Sequence, residues 1–135
     1  MKSLFVTFPA LAIPKGRPRF GRGVTFTPQK TKSFEGELRW HWIAEKRPML
    51  PVAATSVEIT CYLPIPKSKI RQLQREMGST KPIVKPDLDN VAKAILDAMN
   101  GFAWKDDNQI TDLTIRKRYT LDAPSIEMLL RWEDV

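Results

Sequence analysis

The chain reads as a single α+β domain, a mixed or largely antiparallel sheet packed against two to three helices. Three observations predict this fold. Runs of period-two alternation occur near both ends and in the middle of the chain, and one strongly amphipathic helix runs from Asp87 to Asn100. The length of 135 residues with 42% hydrophobic content is also enough for one core and no more. Neither internal repeats nor a long linker divide residues 1–135, so one unit is expected.

Taken in order, Leu4, Val6 and Phe8 alternate with Phe5 and Thr7, which is the period of a strand, and Pro9 ends the run. A loop rich in Pro, Gly and Arg follows from Pro14 to Gly23. From about Gln29 to Glu45 there is no proline, and Phe34, Leu38, Trp42 and Ile43 approximate a helical face, so a helix is expected to end before Pro48. Val57, Ile59, Cys61 and Leu63 mark a second strand. The basic stretch Lys67 to Arg75 after Pro66 predicts a short helix that fades into a loop from Gly78 to Val84. Within Asp87 to Asn100, the residues Leu88, Val91, Ala92, Ile95 and Met99 recur at helical spacing, and Gly101 suits the position just past a helix end. Ile110 to Tyr119 and Ser125 to Trp132 predict two final strands, with Asp122, Ala123 and Pro124 as their turn.

Composition bounds the function. Lys and Arg number 22 against 15 Asp and Glu, a formal charge of +7. Such a balance favours a polyanionic partner, nucleic acid first, although many basic proteins are merely soluble. One Cys, Cys61, and one His, His41, exclude an intrachain disulfide and a zinc site of the usual make-up. Cys61 belongs to the alternating run TSVEITCYL and is expected as a small buried side chain; His41 has no recognisable partner pattern. No apolar run reaches the roughly 18 residues needed to cross a bilayer, and the N-terminus has no cleavage pattern, so a cytoplasmic protein without membrane association is expected.

The densest chemistry lies in KPDLDNVAKAILDAMNGFAWKDDNQ, residues 85–109, which gathers Asp87, Asp89, Asp106 and Asp107 around one short helix. Hard divalent cations take oxygen ligands, so Asp without His or Cys points to Mg²⁺. Asp87 stands where a helix N-cap is expected and Asp89 in the first turn, where the helix dipole favours a carboxylate. Local roles therefore account for both. Residues two apart in a regular helix diverge, but Asp87 before the helix and Asp89 inside it can converge on one ion. Lys93 lies four residues beyond Asp89 and Asp97 four beyond Lys93. Either this is a solvated stripe of ion pairs, or Lys93 is placed to offset charge on a phosphate. Asp106 and Asp107 fall in a connection before the next strand, where a ligand site and an ordinary solvated turn compete.

The ordered set KPDLDNVAKAILDAMNG followed by WKDDNQI resembles the RusA family of Holliday junction resolvases, almost continuously from Lys85 to Ile110, with PKGRPRF as a weaker second match. The resemblance implies an endonuclease that needs Mg²⁺ or Mn²⁺, acts as a homodimer on four-way DNA junctions in recombination and repair, nicks two strands symmetrically, and uses no organic cofactor. It implies Asp87, Asp89 and Asp107 as catalytic metal ligands, with Asp106 a fourth candidate and Lys93 as catalytic lysine. The residue before the DxD, basic in some relatives, is Pro86 here, with Lys85 one step earlier.

Lys15, Arg17, Arg19 and Arg22 in the first loop, together with Lys85, are candidates for DNA phosphate contact, against the competing reading of a solvated loop. Lys67, Lys69, Arg71, Arg116 and Arg118 could widen that surface. Phe20 and Phe26 are expected to pack under their loop rather than wedge between bases, and Trp40, Trp42, Trp104 and Trp132 to serve the core or a dimer interface. The alternative to a junction-resolving nuclease is a non-catalytic basic DNA-binding module in which the Asp cluster only caps a helix. A nucleotide-sugar transferase with a DxD is disfavoured by the short chain and the lack of a nucleotide-binding strand-loop-helix pattern.

Overall fold

A computed structural model describes residues 1–26 and 28–133, without the side chains of Arg19 and Phe26. The α+β expectation holds: four strands form a mixed sheet, and three helices accompany it. The elements are β1 (Lys2–Phe8), β2 (Arg19–Gly21), β3 (Val24–Phe26), α1 (Gln29–Ala44), β4 (Thr55–Pro64), α2 (Ile70–Arg75), α3 (Leu88–Met99), β5 (Ile110–Thr120) and β6 (Ser125–Trp132). Short 3₁₀ turns at Lys67–Lys69 and Asp107–Gln109 precede α2 and β5.

The strand order is β1-β6-β4-β5, with β1 and β4 both antiparallel to β6 and β4 parallel to β5. Alternation selects one face for burial: Val6 and Phe8 from β1, Ile126, Met128 and Leu130 from β6, and Val57, Ile59 and Cys61 from β4 are fully buried. Phe34, Leu38 and Trp42 of α1 and Val91, Ala94, Ile95, Ala98 and Met99 of α3 complete this core. Cys61 is buried as expected, and its apolar surroundings push its thiol pKa up to about 12. The other sheet face stays polar, with Glu58 between Arg116 at 3.2 Å and Arg131 at 3.6 Å.

Two local differences from the sequence reading have clear causes. The Pro14 to Gly23 loop is not featureless, because β2 and β3 form a hairpin whose two turn residues, Arg22 at φ 51° and Gly23 at φ 77°, both adopt the left-handed region of a type I′ turn. The turn from Asp122 to Pro124 joins β5 and β6, but these strands do not pair. β4 lies between them, so the connection crosses over the end of a strand instead of closing a hairpin. Burial also sorts the aromatics. Trp42 and Trp104 are core residues, Trp132 packs against the core edge, and Trp40 is 65% exposed, edge-on to His41. Phe20, expected under its loop, is instead 77% exposed on β2, and the side chain of Phe26 lies outside the described residues.

Candidate metal centre

Helix α3 carries the site because its buried stripe fixes which side chains face out. Val91, Ala92, Ile95 and Met99 pack inward, which leaves Asp89 and Lys93 exposed. Asp87 occupies the N-cap position with extended backbone (φ −73°, ψ 137°), and its carbonyl accepts from Val91 N at 3.1 Å. Its carboxylate, however, accepts no capping hydrogen bond. The position of a cap is filled while its usual side-chain duty is not performed.

The contrast extends along the acidic segment. Among the described residues Asp87, Asp89, Lys93 and Asp107 form no side-chain hydrogen bond or ion pair. Their neighbours of the same type are engaged. Asp106 Oδ2 accepts from Asn108 N at 3.1 Å and caps the 3₁₀ turn. Asp97 pairs with Lys15 Nζ at 3.2 Å rather than with Lys93.

Lys15 differs from the rest of the basic set in being engaged within the chain. Its ammonium donates to Glu35 Oε1 at 2.8 Å, and Glu35 also meets Arg39 at 3.4 Å. Burial alone would lower its pKa, but the hydrogen bonds and charges of Glu35 and Asp97 outweigh that and raise it above the ordinary value. The Lys15 N–H donates to Asn90 O at 2.8 Å, and Gly16 N donates to Thr31 Oγ1 at 2.9 Å, so this segment ties the base of the hairpin to the first turn of α3. Arg17, Arg22 and Lys85 are exposed and face solvent, whereas the Arg19 side chain lies outside the described residues. A shallow concavity lined by Lys15, Gly16, Arg17, Pro18, Asn90 and Lys93 runs from the hairpin base to the exposed face of α3.

The other end of α3 is closed by Gly101 and Trp104, at the helix end and in the core as expected, and by Arg39 and Gln109, for which no role was expected. Trp104 Nε1 donates to Asn100 Oδ1 at 2.8 Å, and Gly101, at φ 82°, donates its N–H to Trp104 O at 2.7 Å. Arg39 Nε reaches Ala98 O at 2.9 Å, with its guanidinium over the Phe102 ring. Buried Gln109 donates to Pro51 O at 2.9 Å and meets Thr55 Oγ1 at 3.2 Å, anchoring the acidic turn to the start of β4. A second residue escaped notice: Lys117 on β5 donates to Val84 O and, at 3.0 Å, to Pro86 O, immediately before Asp87. The visible signal for Lys117 was a cation at an inward position of an alternating strand.

These anchors separate the carboxylates. Lys117 lies beside Pro86, and β5 runs back over about 23 Å from Lys117 to Ile110, a length comparable to the roughly 18 Å of α3. Asp107 comes three residues after Trp104, whose indole bonds Asn100 at the C-terminal end of α3, so its turn lies toward that end and away from Asp87 and Asp89. Consistently, among the described residues no three His, Cys, Asp or Glu side chains gather closely enough to hold a metal ion. Among the described residues no helix is long and apolar enough to cross a membrane.

Comparison with known proteins agrees with this arrangement of motifs. The chain is 31% identical over 122 residues, 87% of its own length and 85% of the relative's, to the uncharacterized protein YqaN of Bacillus subtilis (strain 168). The family model for endodeoxyribonuclease RusA matches residues 9–131, nearly the whole folded unit including both acidic pairs and the basic hairpin. The chain belongs to the RusA endodeoxyribonuclease family.

Proposed function

We propose that this protein is a homodimeric endodeoxyribonuclease that uses Mg²⁺, with Mn²⁺ as a substitute, to resolve four-way DNA junctions by paired symmetric nicks. The observation that carries the reading is the set of charged side chains left without internal partners. Among the described residues Asp87, Asp89, Lys93 and Asp107 are unengaged, while Lys15, Asp97 and Asp106 beside them are consumed by the fold. A carboxylate at an N-cap position that does not cap is available to a ligand.

Asp87 and Asp89, at the non-helical approach and in the first turn of α3, suit two oxygen donors of a hard cation. Because Asp107 of the same chain stands at the far end of the helix, the third donor is Asp107 of a second copy. Two copies related by a twofold axis then form two such sites, which matches two nicks in a junction of similar symmetry. A bound divalent cation supplies Lewis acidity at the scissile phosphate. Lys93, one turn beyond Asp89 on the same exposed face, offsets charge building on that phosphate. The products are 5′ phosphate and 3′ hydroxyl ends. Arg17, Arg19, Arg22 and Lys85 hold the DNA backbone without reading bases. Lys15 holds the hairpin base and contributes no phosphate contact, and Asp106 shapes the turn that presents Asp107.

A non-catalytic DNA-binding module is the second reading, favoured by the absence of three clustered carboxylates among the described residues. Cleavage of a synthetic four-way junction with Mg²⁺, against a linear duplex, separates the two. The nuclease reading expects paired nicks that vanish in Asp89→Asn while junction binding persists. Co-expressed Asp89→Asn and Asp107→Asn chains test the shared site: half the dimers are mixed and each holds one intact site, so roughly a quarter of the nicking returns as single nicks. Junction binding with no cleavage by the wild type would favour the module instead. Failure of the mixture to recover, with an active wild type, would place all donors in one chain.

A further inference from the structure

Lys117 is an unusual choice for its position. In the β4–β5 register it stands opposite fully buried Cys61, on the face of the sheet that the helices cover, between Ile115 and Tyr119 on the same side of the strand. Its ammonium sits near the N-terminus of α3, where the helix dipole disfavours a cation. Among the described residues no carboxylate pairs with it. Its partners are two backbone carbonyls, Val84 O and Pro86 O at 3.0 Å, both in the segment that delivers the chain to Asp87. A fold seeking stability alone would place an apolar residue here.

We infer that Lys117 is a positioning residue for the divalent-cation site: by holding the Val84 and Pro86 carbonyls it fixes the peptide preceding Asp87 and thereby the aim of the Asp87 and Asp89 carboxylates. The Asp87 side chain forms no capping bond, so its own hydrogen bonding does not set the geometry at the start of α3. The restraint comes from two sides. Lys15 N grips Asn90 O from the hairpin, and Lys117 grips Pro86 O from the sheet. Groups that orient metal ligands without touching the metal typically change metal affinity by 10- to 100-fold when removed.

The inference rests on the metal-dependent reading above, and the test separates the two. Mn²⁺ binding to the intact protein is measured by calorimetry without DNA, for wild type, Asp89→Asn, Lys117→Met, Lys117→Gln and Lys117→Arg. The expected result is a loss of Mn²⁺ affinity of about tenfold or more in Lys117→Met and substantial recovery in Lys117→Arg, which retains donors for both carbonyls. Junction affinity measured in EDTA should stay within about twofold of wild type, since Lys117 is not a DNA contact. A merely structural role would lower the melting temperature and leave Mn²⁺ affinity of the folded protein unchanged, which overturns the inference. Should Lys117→Met not fold, Lys117→Gln decides by the same criterion. If the wild type binds no Mn²⁺, or Asp89→Asn binds it equally well, the metal-site reading itself fails and takes this one with it.

Discussion

The two ends of α3 are built to different rules. At the C-terminal end the helix and the turn after it are tied down within the chain: Trp104 meets Asn100, Arg39 meets the Ala98 carbonyl, and Gln109 ties the following turn to Pro51, although Asp107 on that turn forms no side-chain bond among the described residues. At the N-terminal end Asp87, Asp89 and Lys93 have no side-chain partners among the described residues, and the backbone beneath them is instead restrained by Lys15 N and Lys117. Groups that hold the fold are satisfied by it. Open carboxylates on a restrained backbone are what the proposed ligand site would draw on.

The sharpest way to break that contrast is to neutralise the open end. Asp89→Asn should reduce junction cleavage by on the order of 10³-fold, since a metal's contribution of several kcal/mol to the transition state corresponds to that factor. Stability should fall by no more than about 0.5 kcal/mol, the share a first-turn carboxylate draws from the helix dipole, because exposed Asp89 has no other partner to lose among the described residues. Asp87→Ala is the stricter version. If it destabilised the protein by about 1 kcal/mol, as loss of a working N-cap does, Asp87 would be part of the fold and the two ends would be alike.

At the closed end the expected pattern inverts. Gln109→Ala leaves the Pro51 carbonyl and Thr55 hydroxyl without their donor and should cost about 2 kcal/mol, read as a lower urea midpoint at unchanged slope. Cleavage per folded protein should fall far less than in Asp89→Asn. A Gln109→Ala protein as stable as wild type would show that water substitutes readily there and that the anchor is looser than its burial suggests.

How far the site was legible follows from the same contrast. Periodicity was enough for α1, α3 and the long strands, because one buried face leaves a plain repeat in the residues that face it. The hairpin of β2 and β3 escaped because strands of three residues carry too little alternation, although the Arg22-Gly23 turn between Phe20 and Val24 held a hint. Strand order was hidden too: a short β5–β6 turn suggests a hairpin, and only long-range pairing puts β4 between them. The motif named Asp87, Asp89, Lys93 and Asp107, but it could not show that Asp106 caps its own turn, nor that Lys15 is bound to Glu35. Those distinctions depend on partners 20 or more residues away, as with Lys15 and Glu35, or on the direction of a turn.

A smaller effect separates the adjacent carboxylates. Asp106→Ala should cost about 1 kcal/mol by removing the cap on the 3₁₀ turn, with cleavage retained within a few-fold. Asp107→Ala should do the reverse, keeping stability and losing cleavage. Equal loss of activity in both would mean that the pair acts together, and the division into one structural and one functional carboxylate would be given up.

The least effect at neutral pH, and the most informative about how the two ends are joined, is expected in alkali. Lys15 bridges them, with its N–H on Asn90 in the first turn of α3 and its ammonium on Asp97 near the last. Its pKa is raised in the folded state, so its stabilising contribution is complete below the ordinary value of 10.5 and disappears as pH climbs through the higher folded value. Cys61 acts in the same direction for a different reason: the folded core holds the thiol neutral up to about 12, whereas an unfolded chain ionises near 9.0, so stability falls between those values. Urea midpoints followed from pH 7 upward should therefore be flat at first and then decline from about pH 9. Cys61→Ala removes the earlier part of that decline, and Lys15→Met removes the later part along with some stability at all lower pH. If Lys15→Met kept the full decline above pH 10.5, the ammonium would not be what couples the hairpin to both ends of the helix, and the backbone bond to Asn90 would be left to do so alone.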